Sequence, residues 1–373
     1  MKISLLQENL NKGIGVVSRT IANKAQLPIL ANILITAEPG KLKLTSTNLE
    51  TGVSVWLAAK VDQKGRTTAP AKVFSELVAT LPQETVNLEL EADKLKISCG
   101  QYRAAINGIA ADEYPEVPSL KNKPGKGEIK VKKALIKEAI GQVALAAGTD
   151  DSRPIFTGVK VEVCSTGLRL AATDGYRLSV KIVNQFKAGA VTKTLIVPAR
   201  ALTELARSLD FDSGDELILS PTDEEKQLIF SLTNLEIVTR LLEGEFPDFD
   251  KIVPKSSATK LEVASDELRQ AVKAAAVFAR DSANIIKFKI NSHGLTISAN
   301  TPQVGENEIG VDAKTSGDDA EIAFNSRYLL EMLSAVKAKT LSLECSGPLS
   351  PGLFRAPGDD SWWHIIMPVR VQG

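Results

Sequence analysis

Acidic pairs are the residues of this chain that could do chemistry on their own. They are Asp150-Asp151, Asp318-Asp319, Asp359-Asp360 and the run Asp223-Glu224-Glu225. Asp150, Asp151 and Asp174 have the hard oxygen donors that hold Mg²⁺ for phosphoryl or hydrolytic chemistry. Each pair lies between periodic segments, however, where acids more often make solvated turns. The two histidines, His293 in a hairpin turn and His364 in a final strand, support no Ser-His-Asp set of any specificity. No H-E-x-x-H, P-loop or G-x-G-x-x-G occurs, and Pro-Gly-Lys-Gly at 124–127 is too short for a phosphate loop. Cys99, Cys164 and Cys345 each end a strand-like run and have no C-x-x-C spacing, so they read as reduced structural thiols. The expectation is a protein without a catalytic site, metal or cofactor of its own.

The elements that carry these residues are repeated three times. KISLLQENLNKGIGVV near residue 1, EIKVKKALIKEAIGQV near 128 and KLEVASDELRQAVKAA near 260 share their apolar positions. A shift of 126 places Ile3 on Ile129, Leu5 on Val131, Leu10 on Ile136 and Ile14 on Ile140. A further shift of 132 brings Leu261, Val263, Leu268 and Val272 into line. A period of this size belongs to a whole domain rather than to a solenoid unit. Each copy reads as strand, helix, hairpin, helix and three strands. The turns are Pro39-Gly40, Thr166-Gly167 and His293-Gly294, and Lys72, Arg200 and Arg327 fall at one position of the second helices. Ser265 is placed to cap the third copy's first helix. The expected fold is α+β: three repeated domains, 1–120, 128–250 and 260–373, each with two helices packed on antiparallel sheet. Segments 118–127 and 253–260, rich in Pro, Lys and Ser, are the expected linkers.

The 373 residues carry 45 basic and 45 acidic side chains, a net charge of zero. The six expected helices nevertheless hold thirteen basic against seven acidic side chains, a net +6 that the rest of the chain balances. Helices gathered on one surface would make it a sequence-independent phosphate binder. No apolar run is long enough to span a membrane and the N-terminus is no signal peptide, so a cytoplasmic location is expected.

The triplication, TDGYRL at 173–178, LPIL at 27–30, FNSRYLLEML at 324–333 and MPVR at 367–370 together resemble the bacterial sliding clamps, the β subunits of DNA polymerase III. The resemblance covers the whole chain in order. It implies a head-to-tail homodimer that closes six domains into a ring, with helices lining the hole and sheets outside. Double-stranded DNA would thread the ring without sequence-specific contacts, and the ring would tether the polymerase catalytic subunit, giving processivity. A clamp loader and other clamp-motif proteins would be further partners, with no membrane partner.

The resemblance also implies a partner-peptide pocket between the second and third domains. Its residues would be Phe156, Thr173, Gly175, Tyr176, Arg177, Leu178, Pro247, Ile252, Leu349, Pro351, Ile365, Met367, Pro368, Val369 and Arg370. Such an apolar cleft, with Met367, an arginine rim and Gly175 allowing close approach, suits an extended peptide. DNA contacts would map to Lys24, Arg200, Lys287, Asn325 and Tyr328. The dimer seam would map to Val277 and Phe278 against Arg103, Ala104 and Ile106, with Lys72 nearby. Trp362-Trp363 and Gln372-Gly373 are expected to add bulk near the pocket rim. Two other readings stand beside the clamp: a peptide-binding adaptor that does not encircle DNA, and a metal-dependent enzyme using Asp150, Asp151 and Asp174.

Overall fold

The computed structural model describes residues 1–21, 27–121, 127–164, 166–184, 193–222, 226–254, 256–303 and 305–370. Lys24, the Asp223–Glu225 run and Gln372-Gly373 lie outside them. The six expected helices are present: α1 (Gln7–Val17), α2 (Ala71–Thr80), α3 (Lys133–Val143), α4 (Ala199–Ser208), α5 (Ser265–Ala279) and α6 (Ser326–Ala335). The α5 helix forms because Leu268, Ala271, Val272, Ala275 and Ala279 recur at three- and four-residue spacing and are buried. Asp266 and Glu267 occupy its first turn, where the helix dipole favours carboxylates. Ser265 is not its cap: its hydroxyl donates to the Ala338 carbonyl at 2.6 Å, tying the helix start to the chain that follows α6.

The chain forms two compact units, residues 1–136 with 200–241 and residues 137–199 with 242–373. Six strands form two seams and two of the sheet edges: β1 (Thr51–Ala58), β2 (Tyr102–Asn107), β3 (Arg177–Val183), β4 (Leu235–Arg240), β5 (Gly305–Val311) and β6 (Asp359–Ile366). Among the described residues, the first unit holds an eight-stranded antiparallel sheet in which β1 of the first repeat pairs with β4 of the second, Val53 opposite Ile237. The second unit holds a nine-stranded sheet in which β3 of the second repeat pairs with β6 of the third, Ser179 opposite His364. The register is equivalent: Val53 and Ser179 are 126 residues apart, as the repeat requires. The remaining five-stranded and four-stranded sheets end on β2 and on β5, each unpaired on one side among the described residues.

The expected repeat lacked β1, β3 and β5, the strands that enter these seams or edges. The reason is physical. β1 and β3 are buried on both faces over most of their length, so they show no apolar-polar alternation. Beneath α5 and α6, Phe288, Phe324 and Phe354 stack edge-on and tilted, with centroids 5.5 and 5.8 Å apart. Burying each such ring contributes roughly 1.5–3 kcal/mol. Trp362 and Trp363 are buried on opposite faces of β6, the first under α5 and α6 and the second against Leu178, Phe249 and Ile365. They are core residues, not the expected rim.

Candidate functional site

The chain reverses between Thr173 and Leu178 on a turn held by its own side chains. Asp174 Oδ1 accepts the N–H groups of Tyr176 and Arg177 at 2.9 and 3.0 Å, an Asx turn. Thr173 Oγ1 accepts from Gly175 N–H at 3.1 Å, and its hydroxyl donates to the Arg177 carbonyl at 2.7 Å. Gly175 sits at φ +93°, in the left-handed region. A Cβ there would meet only Arg153 Nη1, at 3.9 Å. Backbone handedness by itself favours glycine there.

Arg177 is not on the rim. Its residue surface is 8% exposed. Its Nε donates to Asp174 Oδ2 at 3.0 Å, its Nη1 pairs with Glu331 of α6, and its guanidinium lies 4.4 Å from the centroid of the Tyr328 ring. A buried guanidinium needs such compensation, because desolvation otherwise exceeds what one partner returns. Burial, with Asp174 nearby, pushes the Tyr328 phenol above its ordinary value. Asp174 therefore holds a turn and a cation. Asp150 accepts from Ser152 N–H at 3.0 Å and pairs with Arg153, a turn of its own; Ser152 is the main cause that holds its carboxyl below the usual range.

Apolar side chains collect around this turn. Arg177 and Gly352 flank Ile366 in the sheet, so Tyr176, Pro351 and Met367 share one end of the β3–β6 seam. Met367 N–H donates to the Tyr176 carbonyl at 2.8 Å, and Val369 N–H to the Ala323 carbonyl at 2.8 Å, which fixes the path of Pro368 and leaves Arg370 exposed. Tyr176, Leu349, Ile252 and Met367 are 60, 59, 45 and 36% exposed. Among the described residues of this unit, these are the large apolar ones that water reaches most, apart from Val277. Leu178 and Ile365 lie buried in one cluster with Phe249, against which Phe246 packs, and half-buried Pro247 lies between Phe246 and Phe249 in sequence. Phe156 is half-buried beside Asp174 across Gly148, with Arg153 over its ring at 5.2 Å.

Other expected residues fall in three places. Asn325 caps α6 by accepting from Arg327 N–H at 2.9 Å, and Tyr328 lies on the first turn it opens. Arg200 is exposed on the first turn of α4. Lys287 alternates with buried Ile286 and Phe288, so it leaves the sheet on the face away from α5 and α6, opposite Ala323 of the strand that ends on Asn325. On the edge strand β2, Arg103 is exposed, Ala104 half-buried and Ile106 buried. Lys72 is exposed on α2, while Val277 is exposed on α5 and Phe278 packs partly into the core beneath it.

Glu331 is the functional candidate that the sequence reading missed. The signal was present: Glu76, Glu204 and Glu331 each stand four residues after Lys72, Arg200 and Arg327. That spacing reads as an ordinary helix-surface pair and concealed a long-range partner.

Models of the DNA polymerase III beta subunit match the chain in three consecutive segments: the N-terminal domain over residues 1–118, the central domain over 130–248 and the C-terminal domain over 250–370. The beta sliding clamp of Synechococcus elongatus is 30% identical over 380 residues, covering all of both chains. The chain belongs to the DNA polymerase III beta subunit family. Solved beta subunits share the fold over their whole length. The Bacillus subtilis sliding clamp superposes with a TM-score of 0.92 at 27% identity, and the Thermotoga maritima beta subunit with 0.91 at 27%, each covering all of both chains.

Proposed function

We propose that this beta subunit is a DNA sliding clamp that closes head to tail with a second copy, encircles duplex DNA and tethers the replicative polymerase without chemistry of its own. Its functional domains are 1–120, 128–250 and 260–373. The observation that carries the reading is the repeated seam. Within the chain, β1 joins the last strand of the next repeat, and β3 does the same. β5 is the equivalent strand of the third repeat and β2 is the last strand of the first, and both are open edges. Open edges pair with other chains unless they are protected. Carrying the seam register over sets Glu308 opposite Arg103, Asn307 opposite Ala104 and Ile309 opposite Tyr102 of the second copy. Charge supports this pairing. Glu306 and Glu308 are exposed on β5, while Arg103 on β2 and Lys96 on its neighbour are exposed and basic.

Asn325, Tyr328 and Arg200, on the first turns of α6 and α4, would meet phosphates, and the net positive helices favour sliding over tight binding. The cleft at Tyr176, Leu349, Ile252 and Met367 takes an extended peptide with aliphatic and aromatic anchors from the polymerase catalytic subunit, the loader or other clamp-motif proteins. No described helix is long and apolar enough to cross a membrane. The cytoplasmic location follows from the clamp reading, because replicating DNA is where a clamp works. The test is solution mass across a dilution series, for which twice the 40.0 kDa chain is expected. Glu308→Arg should yield monomers, and Arg103→Glu in the same chain should restore the dimer and its retention on circular duplex. A dimer indifferent to both changes overturns the seam; a dimer lost equally from circular and linear DNA overturns the encirclement.

A further inference from the structure

We propose that Arg177 is a positioning residue through which an occupied peptide cleft is felt at Tyr328 and the first turn of α6. The inference rests on the reading of the Tyr176–Met367 cleft as a peptide site. Arg177 has one hand in each place. Its Nε holds Asp174, whose Oδ1 holds the backbone of Tyr176 and Arg177, and the Tyr176 carbonyl holds Met367 N–H at 2.8 Å. Tyr176 and Met367, two of the exposed residues of the cleft, therefore hang from the turn that Arg177 anchors. At its other end the guanidinium pairs with Glu331 and covers the Tyr328 ring, three residues earlier on α6.

Anything that displaces the turn displaces the guanidinium with it, because Asp174 and Arg177 belong to the same four residues. The helix side is less firmly bound, since the Glu331 side chain is 46% exposed against 12% for Asp174. Movement at the cleft is then taken up at Glu331 and at the Tyr328 face. The first repeat provides the contrast. Glu204, the counterpart of Glu331, is held by Arg19, which follows α1, at 3.1 Å; the counterpart of Arg177 is Thr51. Only the second turn carries a cation that reaches a helix of the next repeat. The coupling has to be reciprocal: contacts that hold Tyr328 must alter peptide affinity by the factor by which peptide alters them.

The chain has four tyrosines, Tyr102, Tyr114, Tyr176 and Tyr328, so fluorotyrosine labelling yields four ¹⁹F resonances, assigned by single Tyr→Phe changes. The full-length protein is titrated with a short peptide carrying adjacent leucine and phenylalanine. Tyr176 and Tyr328 should both shift, while Tyr102 and Tyr114 stay fixed and report an intact fold. In Glu331→Gln, which leaves the Asp174–Arg177 pair in place, peptide affinity should fall by no more than about two- to fivefold, as for an exposed ion pair. Tyr176 should still shift and Tyr328 should not; Arg177→Met should repeat the loss at Tyr328. A Tyr328 resonance that stays fixed in the unaltered protein while Tyr176 moves overturns the coupling. A Tyr328 shift that survives Arg177→Met also overturns it, because the ring then feels the peptide without the guanidinium. No shift at Tyr176 removes the cleft itself.

Discussion

The turns at 47–52 and 173–178 are one backbone object with two sets of side chains. Asn48 Oδ1 accepts from Glu50 and Thr51 N–H at 3.0 and 2.7 Å, as Asp174 does from Tyr176 and Arg177. Thr47 repeats the two bonds of Thr173. Arg240 N–H donates to the Glu50 carbonyl at 2.9 Å, as Met367 N–H does to that of Tyr176 at 2.8 Å. The side chains diverge at the positions around these bonds. Glu50 stands for Tyr176, Thr51 for Arg177, Arg240 for Met367 and Gly52 for Leu178. The space that a larger residue at 52 would need is taken, since a Cβ there would lie 2.7 Å from Val117 Cγ1. The repeat thus supplies one turn scaffold twice, and a handful of side chains decide that only the second presents an apolar face.

The sharpest way to break this comparison is to give the second turn the residue of the first. Arg177→Thr leaves Asp174 buried without its cation, and breaking a buried pair in this way costs about 3 kcal/mol. Thr51→Ala in the first turn should cost less than about 0.5 kcal/mol, because its side chain holds no charge partner. Denaturant unfolding followed by Trp362 and Trp363 fluorescence in a Trp56→Phe background reads the second unit, and Trp56 fluorescence in a Trp362→Phe, Trp363→Phe background reads the first. Equal losses from the two substitutions would mean that the turns differ in sequence but not in load.

The seams differ as their turns do, and pH separates them. Ile237 is paired with Val53 in the first seam; its counterpart His364 is paired with Ser179 in the second. His364 is fully buried, stacked on Trp362 at 6.2 Å, and its ring nitrogens have no protein hydrogen-bond partner. Burial, with the Arg177 charge second, pushes its pKa from 6.5 down to about 3. Arg177 and Lys181 flank Ser179 on the facing strand, and their carboxylate partners are Asp174, Glu331, Glu138 and Asp359. Between about pH 6.5 and 3 the unfolded chain binds a proton that the folded one refuses. The second unit should therefore keep its full stability above pH 6.5 and lose about 1.4 kcal/mol per unit as pH falls below it. His364→Ile should flatten that slope in melting experiments between pH 7 and 4.5. An unchanged slope would assign the acid sensitivity to the carboxylates.

Much of this architecture was legible because the helices and outer strands are amphipathic. Leu10, Ile14 and Val17, and Leu268, Val272 and Ala275, announce their buried faces by spacing. β1 and β3 were not legible, since strands buried on both faces lose the alternation that marks a strand. Tyr176, Leu349, Ile252 and Met367, which the resemblance names, are all exposed. The inward turn of Arg177 was not legible, because its partner Glu331 lies 154 residues away and looks like a helix-surface acid. Long-range pairing of charges is invisible to local pattern.

The finest test exchanges the handed residue between the turns. Leu49 sits at φ +74° and Gly175 at φ +93°, both in the left-handed region. Leucine there crowds its own backbone, a strain of about 1–2 kcal/mol that glycine would relieve, although glycine also gives the unfolded chain more freedom. Leu49 is 40% exposed, so little apolar burial is lost on replacing it. Leu49→Gly should therefore stabilise the first unit, by somewhat under about 1 kcal/mol once the unfolded-state entropy opposes the gain. Gly175→Ala should destabilise the second unit by about 1 kcal/mol through backbone strain alone, because no atom other than Arg153 Nη1 lies within 4 Å of the added methyl. Opposite signs from the two changes would show that the same conformation is imposed on both turns by their side-chain bonds. If Gly175→Ala were harmless, the second turn would be free to relax, and the Arg177 anchor could not transmit anything through it.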